Sequence, residues 1–165
     1  MAEVYMHTPV GWLKLVEANN VLSVIHFMDE EPAIIKQAAT AFLEDCVHQL
    51  QEYFAGESKE FSFMQTAMQE GTNFQQRVWN ELVNIPYGKT ISYRELAIRL
   101  GDEKCIRAAA SANGQNNLAI AVPCHRVIGT DGSLTGYAGG LWRKKWLLDH
   151  EAKFSGKPSQ GSLFG

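Results

Sequence analysis

The chain has 165 residues, 45% of them apolar and 20% charged, which is long enough to bury roughly 70% of the surface its unfolded form exposes. That composition belongs to an ordinary globular protein of one domain or two small ones, and no run of about 18 apolar residues marks a membrane span. The formal net charge of −3 hides an asymmetry: residues 1–72 hold eleven acids against Lys14, Lys36 and Lys59 (−8), and residues 73–165 hold seven acids against twelve lysines and arginines (+5).

In chain order, VYMHTPVGWLKLVEANNVLSVIHF alternates like short strands, with turns at Thr8-Pro9 and Asn19-Asn20, and predicts a β-hairpin or meander. Ile34, Ala38, Phe42, Cys46, Leu50 and Tyr53 then follow in steps of four or three, a helical face that ends at Gly56 and places Cys46 in a core. Residues 57–72 are mostly polar and read as a linker. Phe74, Val78, Trp79, Leu82 and Val83 form one apolar stripe of a helix stopped by Pro86 and Gly88. Ser92 and Glu95 have the spacing of a capping box that opens a second helix, with Leu96, Ala97 and Leu100 inward and Gly101 at its end. A third helix is expected at 103–113, closed by Gly114, so that two short helices stand at helix-turn-helix spacing.

The third helix carries AAASA at Ala108–Ala112, which strips one flank of side chain and leaves Arg107 as its one long polar group. Such a flank suits either a widened DNA minor groove, about 6 Å across before widening, or tight packing against another helix. After it come Asn116, Asn117, the apolar LAIAV, PCHR and a turn at GTDG. TGYAGG, residues 135–140, lacks the lysine and spacing of a phosphate-binding loop. LWRKKWLLDHE reads as a closing helix whose Arg143, Lys144 and Lys145 supply a positive cluster, and GKPSQGSLFG, residues 156–165, is aperiodic and is expected to be a mobile tail.

Cys46, Cys105 and Cys124 are too widely spaced for a zinc or redox motif and read as free thiols. In AIAVPCHRVIG, Cys124 is followed by His125 and Arg126. A reactive cysteine needs a nearby base or cation to hold it as thiolate, and these two residues are candidates. The amino terminus, MAEVYMHTPVG, has no basic flank leading into an apolar core, so a cytoplasmic protein is expected. The basic carboxy-terminal half hints at a polyanion partner, although two solvated surfaces that merely differ would give the same charges.

FQQRVW, PYGKTISY, IRAAASANGQNN, AVPCHRVIG, TGYAGG and WLLDHE, in this order, resemble the 6-O-alkylguanine-DNA alkyltransferases. The resemblance covers residues 73–152 and extends more faintly to the amino terminus. It implies an α+β protein with a small α/β support domain at 1–68 and a winged helix-turn-helix-like, DNA-binding domain at 73–155. It implies one irreversible transfer of an alkyl group from guanine O6 in double-stranded DNA to Cys124, with His125 as base through a water and Glu151 orienting it. Arg107 would fill the place of the flipped nucleotide, and Tyr93 would crowd the phosphate and hydrogen-bond the guanine. Ion pairing of Arg107 with Glu103, and packing of Tyr93 on Pro86, are the plain alternatives.

By the same resemblance, Ala108, Ala109, Ser111, Ala112, Asn113 and Arg126 join the DNA surface. Asn116 is the hinge between recognition helix and cysteine segment, and Lys144 lies near the reactive pocket. Backbone groups of Cys124 and Val127 would read the guanine edge, and the loop at Tyr137, Ala138 and Gly139 would close over it. Ala138 stands where some relatives have serine, and Asn117 where proline is common, which suggests a looser hinge. No metal or cofactor is expected, and the protein is expected to be a monomer without a membrane partner. Gln160, Leu163 and Phe164 resemble a peptide that docks on the sliding clamp, with Gly161 in place of the usual leucine. The rival to a transferase is a non-catalytic, winged-helix binder of alkylated DNA, for which a thiol at 124 has no use. A cysteine hydrolase would need an oxyanion hole that PCHR does not suggest.

Overall fold

The structure, a computed structural model, describes residues 1–33 and 39–155. Ile34 and Ala38 of the expected helical face, and Gln160, Leu163 and Phe164 of the tail, lie outside the described residues. The chain divides into two compact units: Met1–Glu70 with Asn117–Val122, and Gly71–Asn116 with the chain from Pro123 onward.

The first unit is built on an antiparallel meander of β1 (Ala2–Thr8), β2 (Gly11–Ala18) and β3 (Val21–Met28), in the order β1-β2-β3. Asn19 and Asn20 make the β2–β3 turn with φ of 54° and 61°, the left-handed pair that a two-residue hairpin loop demands. Alternate residues Val4, Met6, Thr8, Leu13 and Leu15 are buried. The alternation fails at Leu15, Val16 and Glu17, all buried, where the β2–β3 register shifts between Val16 and Glu17. Helix α1 (Ala41–Phe54) packs on β1 and β2. It begins where the Thr40 hydroxyl accepts from Leu43 N–H, and it buries Leu43, Cys46, Gln49, Leu50 and Tyr53. Phe42, expected inward, is only half-buried, because Leu43 takes that place in the stripe.

Residues 57–70 are not the open linker that their polarity suggests. Ser62–Gln65 form a 3-10 turn that buries Phe63, and Met68 N–H donates to Leu22 O at 3.0 Å. Asn117–Val122 returns to this unit: Ile25 N–H donates to Asn117 O (2.8 Å) and Ala119 N–H to Ile25 O (3.1 Å), a parallel bridge beside β3. Ala121 N–H then reaches Ala119 O at 2.8 Å around Ile120, whose φ is 72°. This is a γ-turn of the rare positive-φ kind, strained further because its central residue is β-branched.

The second unit opens with α2 (Asn73–Leu82), capped by a reciprocal Thr72–Gln75 box. The helix buries Val78, Trp79 and Leu82, whereas Val83, expected in the stripe, is its C-cap and is exposed. After the two-residue strand β4 (Ile91–Ser92), α3 (Tyr93–Arg99) starts on Ser92, whose hydroxyl accepts from Glu95 N–H. The other half of the expected box is absent, because the Glu95 carboxylate pairs with Arg99 at 3.1 Å. A 3-10 turn at Glu103–Cys105 leads into α4 (Ile106–Gly114), so the expected third helix is α-helical only from Ile106. Gly114 ends α4 within the helix, and Gln115 rather than a glycine caps it. Trp79 Nε1–H donates to Ala112 O at 3.0 Å and ties α4 to α2. β5 (Val127–Ile128) pairs in parallel with β4, and α5 (Leu141–Lys153) closes the unit. A small sheet unit followed by a helical unit with a helix-turn-helix pair is the α+β arrangement expected from the sequence.

The basic run of α5 is not the surface cluster that the sequence suggests, because two of its three charges lie on the helix's inward face. Arg143, Lys144, Leu147, His150 and Glu151 recur at helical spacing and are all buried, so the core stripe itself is charged. Only Lys145 of the basic run is on the surface, where it pairs with Asp149.

Candidate active site

Pro123 ends the preceding segment, and Cys124–Arg126 form one turn of 3-10 helix. Three residues per turn send successive side chains in different directions, so Cys124, His125 and Arg126 meet different neighbours. The Cys124 thiol is buried, and burial pushes its pKa up. Three groups oppose that shift. Asn116 Nδ2 donates to Sγ at 3.2 Å, the Tyr137 side chain lies beside the sulfur, and Lys144 adds a positive charge. The cation and donors that favour a thiolate therefore come from α5 and the loops, not from His125 and Arg126 as their adjacency suggests. The Lys144 ammonium donates to Thr135 O at 2.9 Å and stands 5.6 Å from the centre of the Tyr93 ring. Burial lowers its pKa, against a contrary pull from Cys124.

His125 turns away to α5, its Nε2 lying 2.8 Å from Glu151 Oε2 with both side chains sealed from solvent. Burial lowers the imidazole's pKa more than Glu151 restores it, so His125 rests neutral. A carboxylate can only accept, which makes Nε2 the protonated nitrogen and leaves a lone pair on Nδ1. That buried Nδ1 has no hydrogen-bond partner among the described residues. Burial would raise the pKa of Glu151, but His125 and Arg126 overturn the effect and hold the carboxyl well below the usual range.

Arg126 is also buried. Its Nε donates to Glu151 Oε1 at 2.8 Å, Nη2 to Oε2 at 3.0 Å and Nη1 to Ile85 O at 2.6 Å. It is therefore not on the DNA surface, as the sequence suggested, but is one half of a two-pronged interior ion pair.

The AAASA flank divides between its two readings. Arg107, Ala108 and Ser111 are exposed along one side of α4, whereas Ala109 and Ala112 face the core. Asn113, expected at the DNA, is buried and donates from Nδ2 to Cys124 O at 3.3 Å. That carbonyl also accepts the Val127 N–H. Arg107 has no ion pair with Glu103, whose carboxylate is held by Arg94. Tyr93 is half-buried at the start of α3, and its hydroxyl donates to Gly136 O at 3.3 Å. Ala138 is exposed, Gly139 is buried, and Gly139 O accepts from Arg143 Nη1 at 3.0 Å, which anchors the loop to α5.

The family model described as the 6-O-methylguanine DNA methyltransferase DNA binding domain matches residues 73–153, and that of the same enzyme's ribonuclease-like domain matches residues 1–68. The chain belongs to the 6-O-methylguanine DNA methyltransferase family. It is 43% identical over 160 residues to the methylated-DNA–protein-cysteine methyltransferase of Mycobacterium bovis, covering 95% of this chain and 94% of that one. The constitutive methyltransferase of Bacillus subtilis is 43% identical over 152 residues, 87% of this chain and 91% of its own. Among solved structures, the Mycobacterium tuberculosis OGT in complex with DNA aligns over 100% of both chains with a TM-score of 0.84 and 40% identity.

At Asn117, where the sequence suggested a looser hinge, the structure ties the residue on three sides. Asn117 N–H donates to Gln69 Oε1 at 2.7 Å, its carbonyl accepts from Ile25, and its Oδ1 lies 3.1 Å from His26 Nε2. A proline would forfeit the first of these bonds. Three features of the methyltransferase site were not anticipated: the Asn116 donation to sulfur, the Tyr137 contact with it, and the Arg126–Glu151 pair. The first two depend on loop conformation and leave no periodic trace in sequence. Among the described residues no cluster of three His, Cys, Asp or Glu side chains could hold a metal ion, and no helix is long and apolar enough to cross a membrane.

Proposed function

We propose that Cys124 is the acceptor with which this family member repairs alkylated DNA. The sulfur attacks the carbon attached to guanine O6; an S–C bond forms, the C–O bond breaks, and the electron pair stays on the guanine. The thiol proton leaves for His125 Nδ1, through a water as the family resemblance implies, and the guanine takes up one proton in the net reaction. Glu151 holds the imidazole by Nε2 and stabilises the imidazolium. The S–C bond of the thioether product resists cleavage, because the thiolate is a poor leaving group from it, so the transfer happens once per chain.

The single observation that carries this reading is the pairing of a buried sulfur, contacted by Asn116, Tyr137 and the charge of Lys144, with a buried imidazole whose Nδ1 is open. Neither arrangement serves packing alone. A non-catalytic binder gives no reason for donors converging on a thiol. We assign Arg107, Ala108 and Ser111 on the exposed side of α4 to the minor groove, since short side chains permit close approach and Arg107 is long enough to occupy a vacated base position. DNA is bound by the similar Mycobacterium tuberculosis protein. Tyr93, Val127, Tyr137, Ala138 and Gly139 line the assigned guanine site. The finer reading is a cytoplasmic monomer whose Gln160, Leu163 and Phe164 dock on a sliding clamp, tested by clamp binding of the full and tail-deleted chains.

Intact-mass measurement after incubation with methylated duplex DNA tests the central assignment. One added methyl on the peptide containing Cys124, absent from Cys124→Ala, is the expected result. Repair that leaves Cys124 unmodified, or many repairs per chain, would overturn it.

A further inference from the structure

Arg126 lies one residue from the imidazole that the proposed reaction uses as base, yet it reaches neither solvent nor the thiol. Its guanidinium makes interior hydrogen bonds, two to the Glu151 carboxylate and one to Ile85 O in the loop after α2. Its guanidinium also stands 5.7 Å from the centre of the Tyr87 ring. Glu151 thus accepts from both sides, from Arg126 through two nitrogens and from His125 through one, with Gly88 N–H at 3.4 Å as a further donor.

A sealed cluster favours zero net charge, because isolated charge is heavily penalised in the interior. With Arg126 present, a charged Glu151 is balanced and His125 has no need to hold a proton. Without Arg126, the cheapest way to neutralise Glu151 is to protonate His125, and an imidazolium cannot accept the thiol proton.

We infer that Arg126 is a positioning residue that offsets the charge of Glu151, so that His125 rests as the neutral base the transfer requires. This rests on the reading of His125 as base. The groups that bear on His125 are Glu151 and Lys144 from α5, Arg126 from its own turn and the neighbouring Cys124; Tyr87 and Tyr137 border the carboxylate. Lys144 adds a second positive charge on the imidazole, but it donates to Thr135 O rather than to Glu151, so it cannot replace Arg126 on the carboxylate.

The test is a titration of isotope-labelled His125 by NMR in the full-length wild-type, Arg126→Gln and Arg126→Lys proteins, with the pH dependence of single-turnover transfer alongside. In Arg126→Gln the titration of His125 is expected to rise by about one pH unit or more, the effect of removing one close charge. The acid limb of the transfer rate should move with it, and Arg126→Lys should return both toward wild type. An unchanged His125 titration, with transfer slowed equally at every pH, would overturn the inference and leave Arg126 a structural anchor. If Arg126→Gln does not fold, Glu151→Gln is added: rescue of folding supports charge balance, and failure to rescue overturns it. The titration is read without DNA, so it stands or falls separately from the assignment of Cys124 as acceptor.

Discussion

Asn116 and Cys124 are joined by a hydrogen bond of 3.2 Å in which the amide Nδ2 donates to the sulfur. An amide donor favours the thiolate over the thiol, and here it acts against the burial that pushes the Cys124 pKa up. Asn116→Ala should therefore raise that pKa further and slow single-turnover transfer by about 10- to 100-fold, the value of a hydrogen bond to a charged group. Raising the pH should recover part of the loss. A variant slowed to the same degree at pH 7 and pH 9 would show that Asn116 acts only through backbone position.

Lys144→Met removes the buried ammonium that favours ionised sulfur, so Cys124 should react with iodoacetamide only at higher pH than in wild type. The expected displacement of the reactivity profile is about one pH unit. An unmoved profile would assign Lys144 to the Thr135 carbonyl alone.

Acid should destabilise the fold through two groups of one cluster. The folded pKa of Glu151 is depressed, so its contribution is complete above the ordinary carboxylate value, about 4.3, and is lost as the pH falls from there toward the folded value. The folded pKa of His125 is also depressed, so the unfolded chain takes up a proton first and stability begins to fall below about pH 6.5. Denaturant midpoints between pH 2 and pH 8 should decline on the acid side. Glu151→Gln should flatten the lower part of that decline, at a loss of about 3–5 kcal/mol at neutral pH for stranding Arg126.

Arg107 is exposed at the head of α4, with its side chain free of the Glu103 pairing that the sequence allowed. Arg107→Ala should reduce repair in duplex DNA by tenfold or more, the order of about 1.4 kcal/mol, while reaction with free alkylated guanine base is unchanged. Equal losses on both substrates would remove its role in nucleotide flipping.

The meander was legible because alternation and an Asn-Asn turn encode it locally, and the helix-turn-helix pair because Ser92 and Gly101 bracket α3. Cys124, His125 and Glu151 stood out in the sequence, and the structure brings His125 and Glu151 together at 2.8 Å, but the other connections of the three were not legible. Adjacency in PCHR suggested one shared pocket, whereas the 3-10 turn separates the thiol from the imidazole's bonded edge and sends Arg126 inward. The inward stripe of α5 was not legible because Arg143, Lys144 and Glu151 occupy positions that hydrophobic periodicity reserves for leucines. Charge at core spacing is ambiguous until its partners are known, and those partners lie outside the helix at Thr135, Gly139 and Arg126.

The return of Asn117–Val122 to the amino-terminal unit has a practical consequence for anyone wishing to trim this protein. A recombinant fragment beginning at Gly71 would carry Leu118, Ala119, Ile120 and Val122 stripped of the β3 partner that receives them, a greasy hexapeptide hung just upstream of Cys124. Truncation at the apparent domain border should yield aggregation rather than a minimal enzyme.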